Sequence, residues 1–203
     1  MILFLALTVC LSTSATMAGG DANLFIGWKS IDDDAFESTG VDDQPEFGVA
    51  VSLDFEWPVV LAIDLLLSSD DSTRTIPATF PVQQTTDVDT LELDIGVRKF
   101  WKKGRARPYV GGGLAFIQLN AKQTTLTTIL GNTVADTLID DDDTGIGVWV
   151  NGGVLWTFDK GFNIGVDARF SDADGDLSAK GFSSEQEFSS GGFHLGLMLG
   201  YNW

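Results

Sequence analysis

The sequence predicts an all-β fold, an eight-stranded antiparallel up-and-down transmembrane β-barrel that follows an amino-terminal signal peptide. Eight segments alternate apolar with small or polar residues, as strands do when one face is apolar. The connections between these segments are alternately long and short, as in membrane barrels. The apolar face of the last segment ends in two aromatic residues, Tyr201 and Trp203.

The first eighteen residues are typical of a signal peptide. The apolar run 2–11 is followed by small residues up to Ala18, where we place the cleavage site. The run is too short to cross a bilayer as a helix. Cys10 lies in this run, so the predicted mature domain, residues 19–203, contains no cysteine and no disulfide.

Composition excludes several classes of protein. The formal net charge is −17, which argues against nucleic acid as a partner because binding phosphates requires clustered Lys and Arg. The 14 Phe and 6 Trp residues argue against disorder. After the signal peptide, the longest uncharged apolar run is 58–63, so a membrane protein with this sequence must be a barrel.

The first three predicted strands differ in how regularly they alternate. In the first, Leu24, Ile26 and Trp28 point outward. The second is the most regular, and it ends before Pro58, which cannot donate to a strand ladder. Leu66 breaks the pattern of the third. The eight predicted strands are residues 23–29, 47–57, 61–68, 91–101, 108–120, 145–156, 162–170 and 192–203.

The other five strands complete the predicted barrel. The fourth ends at Trp101, beside a basic turn, and glycines 111–113 leave the facing of the fifth ambiguous. The sixth places Trp149 on the face of small residues, and the seventh follows the short turn 159–161. In the eighth, the odd-numbered positions from Phe193 onward are apolar and face outward.

The polarity of the inward positions separates a membrane barrel from its rival, a soluble lipocalin-like barrel. A soluble barrel would place its apolar residues inside, whereas at least five strands here carry polar residues or glycine on the inward face. An even number of strands also places both ends of the chain on the periplasmic side. The long connections are then extracellular.

Two segments, 107–114 and 199–203, resemble the fifth-strand opening and the last strand of the small eight-stranded outer-membrane barrels. That family includes the membrane domain of OmpA, OmpX and the opacity-type surface proteins. The resemblance covers 19–203 and implies an integral location in the outer membrane of a Gram-negative bacterium. It also implies contact with the lipid bilayer and lipopolysaccharide, and assembly by the barrel-assembly machinery through the last strand. It implies function only loosely.

The inward positions carry ten ionisable residues. Because an eight-stranded barrel is filled by its side chains, they predict a hydrogen-bonded ion network that closes the interior, with Arg98 and Arg169 paired to acids such as Asp94 and Asp167. A narrow path for cations, protons or small solutes is the alternative. The ten are Lys29, Asp54, Glu56, Asp64, Glu92, Asp94, Arg98, Asp167, Arg169 and His194.

Six aromatic residues at strand ends are predicted to anchor the barrel at the membrane–water interfaces, where amphipathic rings are enriched. They are Trp57, Trp101, Tyr109, Trp156, Tyr201 and Trp203.

Most of the 29 acidic residues fall in the long connections. Charged loops keep an exposed surface soluble, and carboxylate clusters also suit divalent cations or other surface ligands. Asp172, Asp174 and Asp176 are weak candidates for such a site. However, Ala179 stands where an EF-hand loop requires glycine, and Lys180 occupies a ligand position. We therefore predict no specific metal site and no cofactor.

His194 is the one candidate for a catalytic base. Two kinds of small outer-membrane barrel modify lipid A, and the deacylase pattern places a serine two residues after its histidine, where this chain has Gly196. His194 also faces inward, away from lipid, so we predict no catalytic residues. The predicted role is structural or surface-interactive, and a narrow channel is the alternative.

Overall fold

The computed structural model describes residues 19–30, 43–76, 82–101, 104–129, 132–177, 186–189 and 191–203; the predicted signal peptide lies outside them. These residues are nearly all in strands, with one short 3₁₀ turn at Asp159–Gly161. No helix in the described ranges is long and apolar enough to cross a membrane. The strands are β1 (Gly19–Ser30), β2 (Asp43–Asp54), β3 (Val60–Ile76), β4 (Val82–Phe100), β5 (Ala106–Ile129), β6 (Asn132–Thr157), β7 (Phe162–Leu177), β8 (Gln186–Ser189) and β9 (Gly192–Asn202).

The strands form a closed antiparallel barrel with eight strands around its circumference, so the predicted fold class is confirmed. Each strand from β1 to β7 pairs with the next, β7 pairs with β9, and β9 pairs with β1. β8 pairs with the end of β7 that lies beyond the β7–β9 pairing. It therefore continues the position of β9 in the barrel and does not add a ninth strand to the circumference. Backbone hydrogen bonds between Gly20 and Trp203 complete the last seam.

An apolar belt surrounds the barrel, and its exposed side chains have no protein neighbours to cover them. On β9, Leu195 and Leu197 are exposed, while the alternate residues His194 and Met198 are buried. Leu197 is 63% exposed midway along the strand. Contact with lipid removes the cost of exposing such a band to water.

Several strands are longer than the alternation predicts. β3 and β4 stay paired as far as Ile76 and Val82, and β5 and β6 as far as Ile129 and Asn132, where long loops were expected. The prediction was wrong there because these rows lie beyond the belt and no longer alternate in hydropathy. Their many threonines, a residue with high β-propensity, were the available clue.

These long hairpins form a four-stranded sheet beyond the belt, which we call the projecting sheet. It comprises residues 69–76, 82–89, 120–129 and 132–143. β2 pairs with β3 only up to Ser68, so the projecting sheet begins where the described pairing to β2 ends. We call this end of the barrel the hairpin end. The opposite end, with Gly19, Trp203 and the short turns, is the turn end.

Leu197→Arg tests the position of the belt. If Leu197 faces the centre of a bilayer, the substitution should lower the free energy of unfolding in lipid vesicles by about 2–4 kcal/mol. Tyr201→Arg is the matched control, because it lies on the same face of β9 nearer the interface, where the cost is about 0–1 kcal/mol. Equilibrium denaturant titrations measure both, and equal losses would contradict the assignment.

Candidate functional site: the ionic interior

Large side chains fill the barrel opposite glycines. The Tyr109 ring extends from β5 towards β6, where a Cβ on Gly153 would lie 2.5 Å from its hydroxyl oxygen. The Phe25 ring similarly occupies space beside Gly196. These side chains form a buried apolar layer. The layer includes Leu66, which breaks the hydropathy alternation of β3. Its buried members are Phe25, Ala50, Leu66, Tyr109, Leu155 and Met198.

Tyr109 was predicted to be an interfacial anchor, and that prediction was wrong. Its side chain is only 2% exposed, and its hydroxyl donates to Asp167 Oδ2 at 2.5 Å. β5 turns its odd-numbered residues inward, including Arg107 and Ala115. The glycines between them left this facing unreadable from the sequence.

At the turn end, Arg107 and Asp21 form a bidentate pair. The guanidinium nitrogens donate to the two carboxylate oxygens at 2.6 and 2.8 Å. Asn163 Nδ2 donates to Asp21 Oδ1 at 2.9 Å, and the Arg107 guanidinium lies 4.6 Å from the centre of the Phe100 ring. This group ties four strands together at the turn end.

At mid-height, two arginines share one aspartate. Arg98 donates to Asp64 Oδ2 at 2.6 Å, and Arg169 donates to the same oxygen from the opposite wall. Arg169 also donates to Asp94 Oδ2 at 2.5 Å and lies 3.8 Å from Asp167 Oδ1. Both guanidiniums face the Trp149 ring, at 5.9 and 5.2 Å from its centre. We call these residues the central cluster.

Nearer the hairpin end lies an upper cluster built around His194. Its Nδ1 is 3.0 Å from the Glu46 carboxylate, and its Nε2 is 3.0 Å from Ser171 Oγ. Ser171 Oγ is in turn 3.2 Å from Glu92 Oε2. Lys29 Nζ lies 3.5 Å from the same Glu92 oxygen. All five side chains are buried.

Eight of the ten predicted interior residues lie inside the barrel and are buried: Lys29, Asp64, Glu92, Asp94, Arg98, Asp167, Arg169 and His194. The prediction for Glu56 was wrong, because β2 ends at Asp54 and Glu56 is exposed in the turn with φ 63°. Asp54 is half-buried at the rim, where it accepts the Glu56 backbone N–H. Arg98 pairs with Asp64, whereas Asp94 and Asp167 were expected.

Sequence reasoning missed three buried charged residues, Asp21, Glu46 and Arg107. Asp21 precedes the first predicted strand, Glu46 precedes the second, and Arg107 ends the basic turn before the fifth. For Asp21 and Glu46 the inward position follows once the strand bounds are known, since each keeps the inward parity of its strand. For Arg107 the facing of β5 is needed as well, and the sequence leaves that facing ambiguous.

The other predicted sites lie at the surface. The remaining anchors, Trp57, Trp101, Trp156, Tyr201 and Trp203, are exposed. Asp172 is exposed too, and the side chains of Asp174 and Asp176 lie outside the described residues. Within the described part of the chain, no group of three or more His, Cys, Asp or Glu side chains is placed to hold a metal ion.

Ser171, His194 and Glu46 connect in the order of a nucleophile, a base and an orienting acid. The serine lies on the neighbouring strand β7, 23 residues away from His194 in the sequence, so no local motif around His194 contains it. However, Ser171 and His194 are 0% exposed and Ser171 also contacts Glu92. A lipid at the outer wall cannot reach this serine in the closed barrel.

Comparison with known proteins gives a family and a fold. A family model described as outer membrane protein beta-barrel domain matches residues 1–200. OprG from Pseudomonas aeruginosa is similar in structure, with a TM-score of 0.59 and 12% identity over 91% of this chain and 95% of OprG. Ail, the attachment invasion locus protein of Yersinia pestis, solved with the heparin analogue sucrose octasulfate, has a TM-score of 0.51 and 12% identity over 91% of this chain and 98% of Ail. No curated protein sequence matches significantly.

Arg169→Ala tests the central cluster. The substitution removes a positive charge from beside the buried carboxylates of Asp64, Asp94 and Asp167. We therefore expect the free energy of unfolding in lipid vesicles to fall by about 3–5 kcal/mol. Arg105→Ala is the control, because Arg105 and its partner Asp159 are 69% and 93% exposed, and such pairs contribute about 0–1 kcal/mol. Equal, small losses in denaturant titrations would show that the interior pairs are not dry.

Proposed function

The chain belongs to the outer-membrane protein β-barrel family, and from that premise we propose that it is a non-conducting barrel which holds the projecting sheet at the cell surface. Its role is structural or surface-interactive. The single observation that carries the proposal is the interior, where four buried arginine and lysine side chains each have a carboxylate partner.

The way these pairs span the barrel supports a closed interior. Arg98 from β4 and Arg169 from β7 meet on Asp64 from β3, so opposite walls are tied at mid-height. Opening a water path there requires separating charges that lie in a low-dielectric space, which costs several kcal/mol. The apolar layer of Phe25, Leu66 and their neighbours lies beside the central cluster, since Tyr109 of that layer donates to Asp167.

The projecting sheet is the part of the molecule that is suited to contact other surfaces. We propose that the hairpin end is extracellular and the turn end periplasmic, because short turns face the periplasm in bacterial barrels. Lipid and lipopolysaccharide would then contact the belt, and the assembly machinery would engage β9. The hairpins are acidic, with aspartates at 70, 71, 87, 89 and 140–143.

This charge favours cationic partners. Ail has been solved with a heparin analogue, a polyanion, but the many aspartates here would repel such a ligand. Divalent cations and basic surfaces of neighbouring cells or proteins fit the sign of the charge. An enzymatic role is disfavoured by the burial of Ser171 and His194.

A narrow cation channel is the second candidate, and one observation favours it. A cavity with a volume of about 260 Å³ opens at the turn end, and Asp21, Arg98 and Arg107 are among the residues that line it. Water in this cavity would need to pass the central cluster to cross the membrane. In a channel, the excess of interior acids would select cations.

Conductance separates the two functions. Purified protein in planar bilayers should show no steady current, and Arg169→Ala should show transient openings because buried carboxylates then draw in water. Arg105→Ala should behave like the native protein. Steady cation current from the native protein would overturn the closed-barrel proposal and establish the channel.

Thiol labelling tests the orientation. The one native cysteine, Cys10, lies in the predicted signal peptide, so single cysteines can be introduced without interference. Thr73→Cys in the projecting sheet should react with a membrane-impermeant maleimide on intact cells. Arg105→Cys in a short turn should react only after the outer membrane is permeabilised. The reverse pattern would show that the hairpin end is periplasmic.

A further inference from the structure

A groove with a volume of about 390 Å³ lies on the outer surface of the barrel, at the border between the apolar belt and the projecting sheet. The described pairing of β2 with β3 ends at Ser68. Pro45, the next outward-facing residue of β2, has no backbone N–H to donate to a neighbouring strand. β3 continues into the projecting sheet, so the groove lies where the pairing of these two strands stops. Pro45 and Ser69 line it from either side.

Two neighbouring rows of outward-facing side chains form the surface of the groove. The first row is apolar and continues the belt across three strands; it consists of Phe47, Leu67 and Leu91. The second row is polar and exposed; it consists of Ser69, Asp89 and Asn120. Residues two apart on a strand are separated by about 7 Å. The groove therefore changes from apolar to polar over a distance of about 7 Å, as a lipid does between its acyl chains and its headgroup.

The charges beside the groove favour a particular kind of headgroup. The next outward row beyond Asp89 consists of Asp71, Asp87 and Lys122. The two rows together carry three carboxylates and one ammonium group, so they repel an anionic headgroup and attract a cationic one. The same charges disfavour a second copy of this chain on the groove, because each copy would bring its carboxylates to the contact.

We propose that this groove binds one lipid molecule whose headgroup carries an ammonium group, as phosphatidylethanolamine does. An acyl chain lies along Phe47, Leu67 and Leu91, and the ammonium group contacts the Asp89 carboxylate. This is a specific lipid site, distinct from the general contact of the belt with the bilayer. The inference rests on a belt that faces lipid. It does not depend on which end of the barrel is extracellular or on whether the interior conducts.

Native mass spectrometry tests the headgroup. The purified protein is released from micelles that contain equal amounts of phosphatidylethanolamine and phosphatidylglycerol with identical acyl chains. The native protein should retain more phosphatidylethanolamine, and Asp89→Asn should lower the ratio of the two bound lipids by about fivefold, as expected for one charge at a membrane surface. Asp172→Asn is the matched control, because it removes the same charge from an exposed outward position on β7, and it should keep the native ratio. Equal retention of the two lipids by the native protein, or equal effects of the two variants, would overturn the proposal.

A second variant tests the acyl-chain part of the groove in the same experiment. Leu67 is 46% exposed, so Leu67→Trp places a larger ring in the groove without disturbing the barrel interior. The number of retained lipids should fall by one. Leu195→Trp is the control, because Leu195 is similarly exposed on β9, outside the groove, and the variant should retain as many lipids as the native protein. An unchanged number in Leu67→Trp, or a native protein that is released as a dimer without lipid, would contradict a lipid in the groove.

Discussion

Pairing of charges inside a narrow, closed barrel is the constraint on which the rest of this structure depends. The interior of an eight-stranded barrel is so narrow that side chains fill it. The outward-facing positions are occupied by the residues of the apolar belt. Polar residues are consequently turned inward. Each buried ion must find a partner on another strand, and the shared contact of Arg98 and Arg169 with Asp64 meets that need across the barrel.

The same pairs also set strand register, which connects packing to function. Shifting one strand by a residue would turn its charges towards lipid and its apolar residues inward. Arg107 and Asp21 join residues that are far apart in the sequence, and His194 joins β9 to β2 in the upper cluster. A rigid barrel of this kind is a suitable base for the projecting sheet.

Sequence alone was informative where one face of a strand belongs to the apolar belt, and it was uninformative in the polar hairpins beyond the belt. The alternation of β9 predicted its facing residue by residue, since Leu197 and Met198 lie on opposite sides as expected. Glycines concealed the facing of Tyr109, and the polar hairpins beyond Ser68 have no hydropathy pattern to mark them as strands. Which acid pairs with Arg98 depends on three-dimensional register, which no local pattern contains.

The central claim is that the charges at mid-height block the passage of water through the barrel, and hydrogen exchange at Arg169 tests it most directly. The Arg169 side chain is almost fully buried. Its Nε–H signal, followed by NMR in lipid nanodiscs after transfer to D₂O, should persist far longer than that of exposed Arg105. Exchange of Arg169 as fast as that of Arg105 would contradict a closed interior.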